Sequence, residues 1–191
     1  ENLPKIIHQS SATGMQAVPT TGLAQGIQYL ETLRQKPDER PVVVCCFGDG
    51  SVTEGEVSEA FQFAALKQLP IIYLVEDNDW GISVSSDEAR SMNAYEFIQG
   101  FKGIERIQVD GSDFEQSYEA MENAIHYVRE HRKPILVHAR VPLLGHHTSG
   151  VRKEWYRSEE DLAKHMANEP AAKLKAQLIA KGISENDLAT I

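Results

Sequence analysis

The chain is poor in cysteine, has no long apolar run and carries no cluster of basic residues, and each of these lacks removes a class of protein. The two cysteines, Cys45 and Cys46, are sequence neighbours. In a strand their side chains point to opposite faces, so they are poorly placed to pair with each other. They read as buried thiols of a reducing compartment, and a soluble cytoplasmic protein is the expectation. No apolar stretch approaches the roughly 20 residues that a membrane-spanning helix needs, and no signal-peptide pattern follows Glu1. Lysine and arginine total 19 against 28 aspartates and glutamates, a formal net charge of −9, and the basic residues form no run. That balance argues against nucleic acid or an anionic membrane as partner. An acidic chain that binds phosphate must recruit a cation or aim backbone amides at the anion, because its overall field does not help. Internal repeats and low-complexity segments are also lacking.

What is present is 191 residues, enough for one well-buried domain, with strands and helices in alternation. Thr20 or Thr21 is positioned to cap a helix from about Gly22 to Gln35, stopped by Lys36-Pro37-Asp38. The continuous run Pro41 to Phe47 predicts a strand buried on both faces. Helical spacing of Val57, Ala60, Phe61 and Ala64 marks a helix over Gly55 to Gln68, and Ile71 to Val75 reads as a second strand. A polar loop from Asp77 to about Ser91 leads to a short helix around Asn93 to Gln99 and a strand from Glu105 to Val109. Asp113 caps an amphipathic helix with Phe114, Tyr118, Met121, Ile125 and Val128 as its apolar stripe. Ile135 to Ala139 forms a fourth strand. The alternation predicts an α/β fold, a mostly parallel sheet with helices on both faces. Residues 1–142 form the core of this domain. Residues 143–191 add a polar loop, Leu143 to Arg157, and short charged helices over Ser158 to His165 and Pro170 to Lys181. The chain opens on Glu1-Asn2-Leu3 without methionine and stops at Ile191 inside a helical pattern begun at Ser184, so a portion of a longer polypeptide is expected.

Gly48-Asp49-Gly50 ends the first strand just before a helix, the edge where parallel sheets bind ligands. The glycines let backbone approach a bulky anion, and Asp49 offers a hard carboxylate oxygen to a divalent cation. The same string also serves as an ordinary turn. The next strand ends at Asn78, and the ~27 residues between it and Gly50 are what one helix, one strand and short turns occupy. Asp49 and Asn78 therefore emerge side by side. A carboxylate, a carboxamide oxygen and a carbonyl from the following turn, with two phosphate oxygens and a water, satisfy magnesium's octahedron. A polar turn closed by an Asx bond is the competing reading. His146 and His147 lie in a loop after a strand end, where near-neutral imidazoles suit proton transfer. An exposed pair, or adventitious metal binding, fits them as well. His8, His126, His131, His138 and His165 read as structural or exposed. Gly22 and Gly26 read as small residues that permit close helix packing.

The strings Gly48-Asp49-Gly50-Ser51-Val52-Thr53-Glu54-Gly55-Glu56 and Glu76-Asp77-Asn78-Asp79-Trp80-Gly81-Ile82-Ser83 together resemble the thiamine diphosphate motif. More narrowly, the chain resembles the α part of the decarboxylating component of 2-oxo acid dehydrogenase complexes, from Ser10 onward. Val109-Asp110-Gly111-Ser112-Asp113 is similar to the turn before that family's long helix. Gly145-His146-His147-Thr148-Ser149, followed by Tyr156-Arg157-Ser158, is similar to its active-site loop. The resemblance implies that Asp49, Asn78 and the Trp80 carbonyl hold magnesium (Mg2+), and that amides around Gly50 and Ser51 meet the diphosphate of thiamine diphosphate. It implies that Gly81 and Ile82 continue this cofactor-binding turn, and that Thr13-Gly14-Met15 touches the aminopyrimidine ring. His147, with His146 beside it, is implied to sit by the cofactor and handle the acyl intermediate. Asp77 stands where many relatives carry a second asparagine. Leu143 stands where relatives often carry an arginine, which bears on the loop's substrate contacts.

The implied activity is oxidative decarboxylation of a 2-oxo acid with transfer of the acyl group to a lipoyl-bearing acyltransferase component. The His-His doublet and Thr148-Ser149-Gly150-Val151-Arg152 resemble branched-chain (2-oxoisovalerate) members. Thr148 and Ser149 match positions phosphorylated in some relatives, and no regulation is predicted from them. In the resembled family, the glutamate that activates the cofactor comes from a pyrimidine-binding domain or β part, which nothing here matches. In that family, basic residues that reach the phosphates belong to a segment before the part this chain resembles. The chain alone is therefore expected to bind cofactor weakly, to show little activity and to form oligomers through edges meant for a partner. Two other readings remain: a transketolase-like thiamine diphosphate enzyme, and a non-catalytic α/β interaction module with a vestigial metal site.

Overall fold

The computed structural model describes residues 5–33 and 40–190. The first elements are α1 (Ala17–Thr32), β1 (Val43–Gly48), α2 (Gly55–Lys67) and β2 (Ile71–Asp77). A small hairpin of β3 (Trp80–Gly81) and β4 (Val84–Ser85) precedes α3 (Ser86–Ala89) and α4 (Ala94–Phe97). Then come β5 (Glu105–Asp110), α5 (Phe114–His131) and β6 (Ile135–Arg140). The tail carries α6 (Glu159–Met166), α7 (Pro170–Ala180) and α8 (Glu185–Leu188). Among the described residues no helix is long and apolar enough to cross a membrane.

Four strands form one sheet in the order β1-β2-β6-β5, parallel throughout. The units β1-α2-β2 and β5-α5-β6 advance across it in opposite directions. Since βαβ crossovers are right-handed, α2 and α5 must lie on opposite faces. On one face α1, α2 and the α4 region enclose Phe47, Phe61, Tyr73, Ala94 and Ile98. The Phe61 ring meets Tyr73 edge-on at 4.7 Å between centroids, and the Tyr73 hydroxyl lies 2.7 Å from that of Thr21. A buried phenol thus keeps a partner, while full burial of Phe61 contributes about 1.5–3 kcal/mol. On the other face α5 lays Ala124 and Val128 on Ile72, Ile135 and Val137.

Several sequence expectations need correction. α1 starts at Ala17, so Thr20 and Thr21 are buried inside it, not capping it; Thr20 Oγ1 donates to the Gln16 carbonyl and Thr21 serves Tyr73. The expected helix end at Gln35 and the Lys36-Pro37-Asp38 stop lie outside the described residues. β1 is an edge strand and is not buried on both faces: α5 covers the other three strands, leaving Val44 and Cys46 exposed. Cys46 is thus not a buried thiol. Cys45 is one, and burial pushes it up to about 12. The stripe on α5 is rotated, with Ala120, Ala124 and Val128 buried while Phe114 and Tyr118 are 57% and 60% exposed. Finally, the loop after Asp77 contains β3, β4 and α3; the capping box of Ser85 and Glu88 explains the helix.

The chain leaves β2 toward the α4 face, whereas it leaves β6 toward α6 and α7 beside the start of α5. Such divergence at adjacent carboxyl ends opens a crevice. A cleft of about 530 Å³ lies there, lined by Asp77, Asp79, Gln108, Arg140, Lys164 and His165 among others. Its tail wall is fastened by Lys173, which donates to Asp110 and to Ser112, and by Gln177, which donates to Asp113 at 2.8 Å.

Candidate cofactor and metal site

The parallel register pairs Gly48 with Glu76, which sets Asp49 next to Asp77 and Asn78 as both strands end. Asp49 begins a single 3-10 turn, Asp49–Ser51, and is 3% exposed. Ser51 Oγ donates to the Gly48 carbonyl at 2.7 Å, and the Asn78 backbone N–H lies near enough to the Asp49 carboxylate to lower its proton affinity. The Asn78 side-chain oxygen accepts the Trp80 N–H at 3.0 Å, the Asx bond foreseen for a plain turn. A carboxamide oxygen has a second lone pair, so this bond leaves it able to ligate.

Gly48 and Gly50 have ordinary negative φ, and a Cβ added at either meets nothing within 4 Å. The fold therefore does not require glycine there; what an absent side chain provides is free access to the backbone from outside. Ile82 is the opposite case, with φ +59 at a β-branched residue. That strain is of the kind concentrated at ligand-binding turns. Gly14 is a structural requirement: φ is +79 and an added Cβ would lie 3.1 Å from Val57 and 3.2 Å from Glu54. This turn holds Thr13 and Met15 beside the start of α2, while Gln16 Nε2 donates to the Cys46 carbonyl at 2.9 Å, tying the segment to the end of β1.

Sequence reasoning missed Arg90. Its Nη2 lies 2.6 Å from Asp49 Oδ2 and 3.8 Å from Asp77 Oδ1, with both partners buried. Its Nε is buried without a partner among the described residues. The capping box at Ser85 and Glu88 signals where the short helix before Arg90 begins, and no local signal turns Arg90 inward. Asp77 is itself held by His138, whose Nε2 lies 2.7 Å from Asp77 Oδ2 and whose Nδ1 faces Gln108 at 3.3 Å.

The electrostatics follow from this crowding. Burial, and next the Asp77 charge, push the Asp49 carboxyl above its ordinary range, while Arg90 and the Asn78 N–H restore only part. Burial also acts on Asp77, but the His138 hydrogen bond, the Asp79 N–H and Arg90 more than offset it, leaving that carboxyl low. Among the described residues no group of three His, Cys, Asp or Glu side chains is placed to hold a metal. A cation at Asp49 would therefore complete its shell largely with neutral oxygens, which suits a hard ion accompanied by phosphate. The open backbone at Gly50 fits an anionic group beside that ion.

His146 and His147 lie on an exposed stretch of the Leu143–Arg157 loop, with His146 Nδ1 accepting the Lys153 N–H at 3.3 Å. The end of this loop does reach the site: the Tyr156 ring packs 5.4 Å from Trp80, and the Arg157 guanidinium lies 5.4 Å from the Trp80 ring centroid. Arg157 Nε is 2.5 Å from Asp161, its Nη1 donates to the Leu143 carbonyl, and His165 Nδ1 accepts the Leu143 N–H at 2.8 Å. Both ends of the loop are thus anchored to α6.

A family model described as dehydrogenase E1 component matches residues 2–190. The pyruvate dehydrogenase E1 component subunit alpha of Rickettsia conorii is 32% identical over 181 residues, 93% of this chain and 52% of that protein. The 3-methyl-2-oxobutanoate dehydrogenase subunit alpha of Mycobacterium tuberculosis is 33% identical over 172 residues, 89% of this chain and 44% of that protein. Among solved structures, the transketolase of Campylobacter jejuni superposes with a TM-score of 0.56 over 67% of this chain and 20% of its own, at 23% identity, a likeness of fold. The chain spans about half the length of the curated relatives it matches. With the family match running almost end to end, the chain belongs to the dehydrogenase E1 component family.

Proposed function

We infer that this chain is the diphosphate- and magnesium-binding half of a thiamine diphosphate-dependent 2-oxo acid dehydrogenase E1 component. The observation that carries the reading is the meeting of Asp49 and Asn78 at one sheet edge, beside a Gly50 backbone that no side chain shields. Asp49, Asn78 and the Trp80 carbonyl hold Mg2+. Gly48, Gly50 and Ser51 present backbone to the diphosphate, Gly81 and Ile82 continue the turn around it, and Thr13-Gly14-Met15 meets the pyrimidine end. Bound thiamine diphosphate supplies the electron sink for decarboxylating a 2-oxo acid. The chain's own contribution is to orient the cofactor, to balance its charge and, through His147 with His146 nearby, to hold a proton at the loop.

The partners we propose are a β part or pyrimidine-binding domain, which supplies the activating carboxylate, and a lipoyl-bearing acyltransferase that receives the acyl group. An oligomer follows from the open face of β1. Branched-chain 2-oxo acids are the proposed substrates, on the His146-His147 doublet; relatives carry both pyruvate and 3-methyl-2-oxobutanoate names. The test is calorimetric titration of thiamine diphosphate with Mg2+ into this chain joined with its partner part, as wild type and Asp49→Ala. Binding abolished by Asp49→Ala is expected. No binding by the wild type would refute the reading, and a preference for pyruvate over 2-oxoisovalerate would overturn the substrate assignment.

A further inference from the structure

Arg90 stands where a metal ion's charge would act. Its guanidinium touches the buried Asp49 carboxylate at 2.6 Å and approaches Asp77 at 3.8 Å. Two desolvated carboxylates at one strand edge repel each other, and a cation between them relieves that repulsion. The berth is incomplete, however. Nη2 makes the short contact with Asp49, while Nε is buried without a hydrogen-bond partner among the described residues, so one donor of the guanidinium fork goes unused.

The surroundings also allow the side chain to leave. Arg90 ends α3 in extended conformation, φ −142 and ψ 142, between the capping boxes of Ser85 with Glu88 and Asn93 with Glu96. Those boxes brace the backbone on both sides. The side chain borders a cavity of about 260 Å³ that Asp49 does not line and that carries Asp79, Asp87 and Glu96. It can therefore turn away from Asp49, toward other carboxylates, with the flanking helices intact.

We propose that Arg90 is an internal stand-in for the divalent cation: it neutralises Asp49 when the metal position is empty and must release that carboxylate before metal binds. This rests on the metal-site reading above. Metal affinity in this chain is then a competition, weaker than the oxygen ligands alone would give, and the released guanidinium remains at the site as a mobile positive charge.

The experiment measures Mn2+ binding to this chain without cofactor, by the electron paramagnetic resonance signal of free Mn2+ and by thermal melting, for wild type, Arg90→Gln, Arg90→Lys and Asp49→Asn. Removing a competing unit charge within contact distance is expected to tighten Mn2+ binding by about tenfold or more in Arg90→Gln. Arg90→Lys, which keeps the charge, is expected to stay near wild type. Without metal Arg90→Gln melts lower than wild type, and saturating Mn2+ closes that gap; a residue that merely braced the loop would leave the gap open. Should Arg90→Gln fold only in the presence of Mn2+, the proposal stands; failure to fold with Mn2+ present overturns it. Affinity equal to or weaker than wild type in Arg90→Gln, with binding still lost in Asp49→Asn, overturns the proposal and leaves the metal site in place. No binding that depends on Asp49 in any variant, even with thiamine diphosphate added, removes both.

Discussion

The His138 imidazole meets the Asp77 carboxylate at 2.7 Å, with side-chain exposures of 1% and 5%, directly behind the residues that carry the candidate metal site. Asp77 in turn accepts the Asp79 N–H at 3.1 Å, so the pair determines how the chain leaves β2. Removing the imidazole strands a buried carboxylate. His138→Ala is therefore expected to cost about 3–5 kcal/mol. Asp77→Asn, which keeps a hydrogen-bonding group, should cost clearly less. Urea unfolding of both variants measures the difference, and equal losses would contradict this account.

Gly50 separates folding from binding. An added Cβ meets nothing within 4 Å and φ is not in the left-handed region, so Gly50→Ala should leave stability within about 1 kcal/mol of wild type. The methyl instead projects where backbone is open to a ligand. Thiamine diphosphate binding, measured calorimetrically in the reconstituted protein, should weaken by tenfold or more. An unchanged affinity would show that the diphosphate does not approach this amide.

His165 links the loop to pH. Burial, followed by the charge of Arg157, pushes its imidazole below the ordinary histidine value, and Asp161 and Asp79 only partly compensate. A histidine whose folded value is depressed lets the unfolded chain bind protons first. Its contribution to stability is present above the unfolded value of about 6.5 and is lost as pH falls from there toward the folded value. Protonation also removes the acceptor for the Leu143 N–H. The protection factor of the Leu143 amide should fall as pH drops from 7.5 to 5.5, and His165→Gln should flatten that dependence.

The alternation of strand and helix was readable because hydrophobic period and turn residues act locally, and the helix that Asp113 caps lies where that residue predicts it. Asp49 and Asn78 were readable as a pair for a related reason: one βα unit has nearly constant length, so its two strand ends must emerge together. Arg90 was not readable in this way. It lies twelve positions beyond Asn78 in a polar stretch, and nothing local distinguishes an arginine that folds back onto Asp49 from one that faces water. The apolar run of β1 misled for the opposite reason, since side-chain character does not reveal whether a strand lies at a sheet's edge.

The sequence by itself determined the periodicities, the turn chemistry and the string of candidate ligand residues, since each depends on neighbours within a few positions. Only the tertiary structure decided the strand order that leaves one face of β1 open, the burial of Arg90 between Asp49 and Asp77, and the joining of His138 to Asp77 across 61 positions. Those outcomes depend on which surfaces exclude water together, and that is a property of the packed chain rather than of any segment.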